Sequence, residues 1–136
     1  MSIFRLDTRS VVIQAPAKKV WNFIADVRNW KQFSDFSKNM EQVGDNEWVA
    51  HTDQGDIKVR TFFDEEHLTL DQICYPNREE QLIPYRIIPM GAESCKLMMT
   101  NQQTPSVSDE EYEQQMGWIQ QELETVKKIL ETDSPS

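Results

Sequence analysis

Glycine is scarce in this 136-residue chain, with four in all, and histidine and cysteine are scarcer still at two each. So few glycines leave no loop that can cradle phosphates, and neither a nucleophile elbow nor a glycine-rich nucleotide motif occurs. Catalysis by an activated serine or on a bound nucleotide is disfavoured. Cys74 and Cys95 are too few for a disulfide framework or a zinc cluster and read as reduced core thiols. His51 and His67 have no second His or Cys at ligand spacing. His51 with Asp53 and Asp56 is a conceivable cation corner, but His51-Thr52-Asp53-Gln54-Gly55-Asp56 has the composition of a solvated hairpin turn. No metal and no cofactor are expected.

Long apolar runs are missing too. No stretch approaches the roughly 18 consecutive apolar residues of a membrane span, and no apolar segment follows a basic start at the N-terminus. The expectation is a cytoplasmic protein without membrane insertion. Positive charge is short: 14 Lys and Arg against 23 Asp and Glu give a net charge of -9 and an isoelectric point near 4.7. That balance opposes the phosphate backbone, whose non-specific affinity comes from Lys and Arg displacing counterions, so no nucleic-acid partner is expected.

What is present fits one domain over residues 1–136, monomeric or weakly homodimeric. A chain of this size can bury about two-thirds of the surface its unfolded form exposes. Phe4 to Ile13 reads as a strand ending in three β-branched residues. After Ala15-Pro16, Val20, Ile24 and Val27 fall at helical spacing. A further short turn holds Trp30 and Phe33. Gly44-Asp45, Asp53-Gln54-Gly55, Asp64-Glu65-Glu66 and Gly91-Ala92 punctuate the middle as turns between strands. Ile57, Val59, Thr61 and Phe63 share one face while Lys58 and Arg60 take the other, and Cys95, Leu97 and Met99 alternate in the same way. Pro84 cannot donate to a ladder, so a bulge or edge-like stretch is expected there.

The clearest periodicity is Tyr112, Met116, Ile119, Leu123, Val126 and Leu130, which predicts one long helix. Ser108 and Glu111 form a capping-box pattern at its start, and residues 132–136 should fray. This order of elements favours an antiparallel sheet with helices on one side, and a twisted sheet of six or seven strands curls around such a helix.

The run Val11-Val12-Ile13-Gln14-Ala15-Pro16, followed by Val20-Trp21, Asp26 and Trp30, resembles the N-terminal strand and helix of the START-related superfamily. That superfamily also holds pollen-allergen-like proteins and polyketide cyclases. Thr104-Pro105 and the final helix extend the likeness more loosely along the chain. The resemblance implies an α+β helix-grip fold, a curved sheet around a long C-terminal helix with a pocket between them. It implies function less sharply, because the superfamily spans lipid carriers, hormone receptors, cyclases and chaperone activators, and a fold does not fix a function.

A pocket for a small hydrophobic ligand would be lined by the inward faces Ile57, Val59, Phe63, Leu70, Leu97, Met99, Met116, Ile119 and Leu123. For most of these, packing in the core is the stronger reading. Met90, Met98, Met99 and Met116 lie in the last hairpin or the helix opposite, where flexible thioethers suit a cavity that adapts to its contents. Strand parity turns Gln72, Tyr85 and Asn101 inward as candidate orienting groups and leaves Arg60 outward. Trp118, at the border of the helical stripe, either roofs a pocket mouth or packs on the surface. The acidic residues of the last helix, including Glu110, Glu122 and Glu131, read as a solvated face.

The function these features favour is binding or carrying a lipid-, polyketide- or isoprenoid-like molecule without catalysis. The alternatives are a cyclase- or dehydratase-like enzyme using Tyr85, Arg86 or His51, and a protein-interaction module of the chaperone-activator kind.

Overall fold

The β-branched residues Val11, Val12 and Ile13 end the first strand, β1 (Leu6–Ile13), in a computed structural model that describes residues 4–53 and 55–132. The strand thus begins two residues later than the apolar pattern does at Phe4, which is exposed. Pro16 sits at the cap of α1 (Ala17–Ile24), where the ring's fixed φ suits helix entry and its missing N–H costs nothing. Helix α1 is ended by side chains: Trp30 Nε1 donates to Ile24 O at 2.7 Å and Asn29 Nδ2 donates to Phe23 O at 2.9 Å. Two 3-10 turns, Val27–Gln32 and Asp35–Ser37, carry the chain across to the sheet.

Six strands then follow by hairpins: β2 (Met40–Gly44), β3 (Glu47–Thr52), β4 (Gly55–Asp64), β5 (Thr69–Cys74), β6 (Gln81–Pro89) and β7 (Cys95–Gln102). They pair antiparallel in the order β1-β7-β6-β5-β4-β3-β2, so the first strand closes on the last. Gly55 and Gly91 take φ of +113° and +84° at two of the turns, conformations that L side chains avoid. Residue 54 of the expected Asp53-Gln54-Gly55 turn lies outside the described residues; of the tail 132–136 expected to fray, Thr132 ends the last helix and 133–136 lie outside the described residues. Pro84 pairs with Asp71 in an unshifted β5–β6 register, so there is no bulge between those strands. The ladder from β6 to β7 begins only at Tyr85↔Met99, one residue beyond the proline's missing donor.

The long helix α2 (Asp109–Thr132) opens with the capping box: Glu111 N donates to Ser108 Oγ at 3.1 Å and Ser108 N to Glu111 Oε1 at 3.2 Å. It buries Tyr112, Met116, Ile119, Leu123, Val126 and Leu130 against the concave face of the sheet. Lys127 Nζ donates to Val12 O at 2.7 Å, tying its last turns to β1. This is the helix-grip arrangement, an α+β fold. The main core lies between α1, α2, β1 and the inward residues of β5–β7, whereas Ala50, Val59 and Cys74 form a smaller cluster under β3–β5.

Candidate functional site

Between these two clusters the helix does not reach the sheet. The gap is a cavity of about 300 Å³, walled by β4–β7, by the two 3-10 turns after α1, by Pro76 and Asn77 of a third such turn (Pro76–Arg78) between β5 and β6, and by the N-terminal half of α2. Its apolar wall includes Trp30, Phe33, Phe36, Ile83, Met99 and Ile119. Trp118 borders it while 55% exposed, which puts this indole at the mouth.

The pleat explains which sheet residues reach the cavity. Gln72, Tyr85, Met99 and Asn101 are inward on β5, β6 and β7, with Leu70↔Tyr85 and Tyr85↔Met99 in register. Of the residues expected to line a pocket, Ile57, Gln72, Tyr85, Met99, Asn101 and Ile119 stand on its wall. Leu70, Leu97, Met116 and Leu123 are inward but belong to the packed core, and Val59 belongs to the smaller cluster. The first four pack where helix and sheet meet, and Val59 packs with Ala50 and Cys74 away from the helix, so none of the five borders the cavity. Phe63, near the end of β4, lies on an outer recess with Trp21, Arg28 and Trp48. The methionine argument narrows likewise to Met99: Met116 is packed away, Met98 is on the opposite strand face and Met90 is exposed.

The polar groups form two sets. In the first, Gln81 Nε2 donates to Asn101 Oδ1 at 2.8 Å, and Asn101 Nδ2 donates to Gln115 Oε1 at 3.1 Å, joining β6, β7 and α2. Tyr112 adds a bond from its hydroxyl to Asn101 O at 3.1 Å. In the second, Gln72 Nε2 donates to Cys74 Sγ at 3.1 Å and the Tyr85 hydroxyl reaches Gln72 Oε1 at 3.5 Å. Burial holds the Tyr85 phenol well above its ordinary range and pushes the Cys74 thiol up to about 12, so both stay protonated at neutral pH.

Glu122 is the residue that the sequence pattern concealed. Its carboxyl group stands on the cavity wall and hydrogen-bonds Ser34. Burial raises its pKa to about 7, the bond to Ser34 works against that rise, and the nearby Asp35 carboxylate adds to it. Glu122 in turn pushes the Tyr85 and Cys74 values further up, which places the three groups within electrostatic reach of one another. The signal was helical spacing: Glu122 follows Trp118 by four and Ile119 by three, so it shares their face rather than that of Glu110 and Glu113.

The other polar candidates lie elsewhere. Arg86 points away from the cavity and pairs with Asp71 at 2.8 Å, and the Arg60 guanidinium lies over the Phe62 ring at 5.1 Å. His51 hydrogen-bonds Asp56 at 2.8 Å and Glu41 at 3.3 Å on the exposed β3–β4 hairpin, with Glu41 in place of the Asp53 considered from sequence. Among the described residues no group of three or more His, Cys, Asp or Glu side chains is placed to hold a metal ion. No helix among them is long and apolar enough to cross a membrane.

A curved sheet gripping a terminal helix around an internal cavity is the architecture of a helix-grip domain. The model of the polyketide cyclase/dehydrase and lipid transport family matches residues 13–99, more than half of the chain, and the chain belongs to that family. Among solved structures it is similar to the Zhui aromatase/cyclase from Streptomyces, at 17% identity and a TM-score of 0.72 over 95% of this chain and 94% of that one. It is similar to norcoclaurine synthase from Thalictrum flavum in complex with dopamine and hydroxybenzaldehyde, at 12% identity and a TM-score of 0.70 over 98% and 90%. A START superfamily protein from Mycobacterium smegmatis aligns at 11% identity and a TM-score of 0.70 over 95% and 99%. At these identities the likeness is one of fold. No curated protein matches the sequence.

Proposed function

We propose that the chain binds a small, largely apolar molecule in the cavity between α2 and β4–β7 and carries it without chemical change. The observation that carries this reading is the cavity itself. A volume of about 300 Å³ stands at the lower end of the roughly 300–1,000 Å³ typical of small-molecule pockets, and its aromatic and aliphatic walls with a few fixed polar groups are what such pockets present. A domain built only to dock another protein gains nothing from leaving this space open, since an empty apolar void costs packing energy. Native mass spectrometry of the protein purified from its own cells tests the reading. A bound apolar compound of defined mass is expected; an empty protein that also shows no thermal shift with a broad set of lipophilic compounds counts against it.

A second reading, a cyclase- or dehydratase-like enzyme, is favoured by one specific observation. Glu122 titrates near neutrality beside a buried, protonated Tyr85, and a carboxyl group poised near the working pH is suited to general acid–base transfer. Once a ligand is known, turnover by wild type and its loss in Tyr85→Phe at unchanged affinity would favour the enzyme. Recovery of the ligand intact would favour the carrier.

A further inference from the structure

The cavity has a sign of charge as well as a shape. Among the described residues lining it there is no Lys, Arg or His, whereas Glu122 and the mouth residue Glu111 are acidic. Glu111 is occupied by the helix cap. Around Glu122, Ser34 at the cap of the second 3-10 turn bonds its carboxyl group, Tyr85 and Cys74 stand on the sheet side, and the Asp35 carboxylate acts on it only from the exposed outer side of the turn. None of these is a cation. Lys38, just after that turn, is exposed and paired with Asp35 at 3.0 Å.

An anionic headgroup entering this space would meet like charge and, among the described lining residues, no cation, which is costly in a desolvated site. A cation would meet a carboxylate whose burial penalty it relieves, among five aromatic side chains on the wall, Trp30, Phe33, Phe36, Tyr85 and Trp118. We propose that the cavity is selective for a protonated amine carried on an apolar, ring-sized body, with the Glu122 carboxylate as its counter-ion. This rests on the binding role proposed above and narrows its ligand class away from fatty acids and other carboxylates.

Three ligands with the same indole ring isolate the charge: tryptamine, the neutral alcohol tryptophol and the anion indole-3-acetate, each titrated calorimetrically at pH 8. Tryptamine is expected to bind about tenfold tighter than tryptophol or better, the range of a charge-assisted hydrogen bond, and indole-3-acetate to show no measurable binding. Glu122→Gln, a near-isosteric change, is expected to bring tryptamine to the affinity of tryptophol. Lowering the pH from 8 to 5.5 should weaken tryptamine in wild type and not in the variant, because the amine stays charged while Glu122 protonates.

Equal or tighter binding of the alcohol or the acid overturns the proposal, as does a Glu122→Gln variant that holds tryptamine unchanged. The neutral dye Nile red separates the two levels. If it binds while none of the indoles does, the amine selectivity falls and the binding role stands; if it fails to bind as well, both fall.

Discussion

Glu122 places on the cavity wall a carboxyl group whose charged form burial disfavours. Its pKa, raised from the ordinary 4.5 to about 7, means that between those values the folded chain holds a proton the unfolded chain has released. Stability contributed at this site is therefore present at low pH, falls as pH rises from about 4.5 through about 7, and is flat above. Glu122→Gln never ionises and lacks the decline. Thermal melts at pH 5 and pH 8 should show the variant near wild type at the lower pH and more stable at the higher. An equal offset at both pH values would show that the carboxylate is solvated. His51, also raised by Asp56 and Glu41, loses its contribution as pH rises above its ordinary 6.5 in both proteins, so the difference between the two curves isolates Glu122.

The helix α2 serves two purposes along its length, and substitutions should separate them. Ser108 accepts from the Glu111 amide in the capping box, so Ser108→Ala is expected to cost about 0.5–2 kcal/mol in chemical denaturation without altering the cavity. Leu123 is fully buried where helix meets sheet, and Leu123→Ala should cost roughly 2–5 kcal/mol, the range for a buried leucine that leaves a hole. The apolar period of this helix was legible because six residues at steps of three and four admit a single stripe. The same legibility holds for the inward parity of Gln72, Tyr85 and Asn101, since a strand has only two faces. What the pattern does not carry is the distance between helix and sheet. Leu97 and Met99 alternate identically on β7, yet only Met99 borders open space. That depends on the distance between α2 and the sheet at each point, along a wall that Trp30 and Phe33 complete. Glu122 was hidden for the same reason: an acidic residue at the border of a stripe looks solvated until the opposite wall is in place.

At the scale of the whole molecule, the open volume should be separable from the fold. The tether from Lys127 to Val12 of β1 joins residues that are not on the cavity wall. Ile119 is buried on α2 and faces the cavity, so Ile119→Phe places added apolar volume into existing space instead of into a packed core, where overpacking costs about 1–3 kcal/mol. The variant is expected to melt at or above the wild-type temperature when free of ligand. Any bound molecule stabilises the native state by mass action, about 2.7 kcal/mol at a hundredfold excess over its dissociation constant, and the filled variant should lose most of that increment. Free-state stability kept and ligand-induced stability lost would tie binding to this space. A ligand shift that survives in Ile119→Phe would move the binding site elsewhere, with the outer recess around Trp21, Trp48 and Phe63 the next place to test.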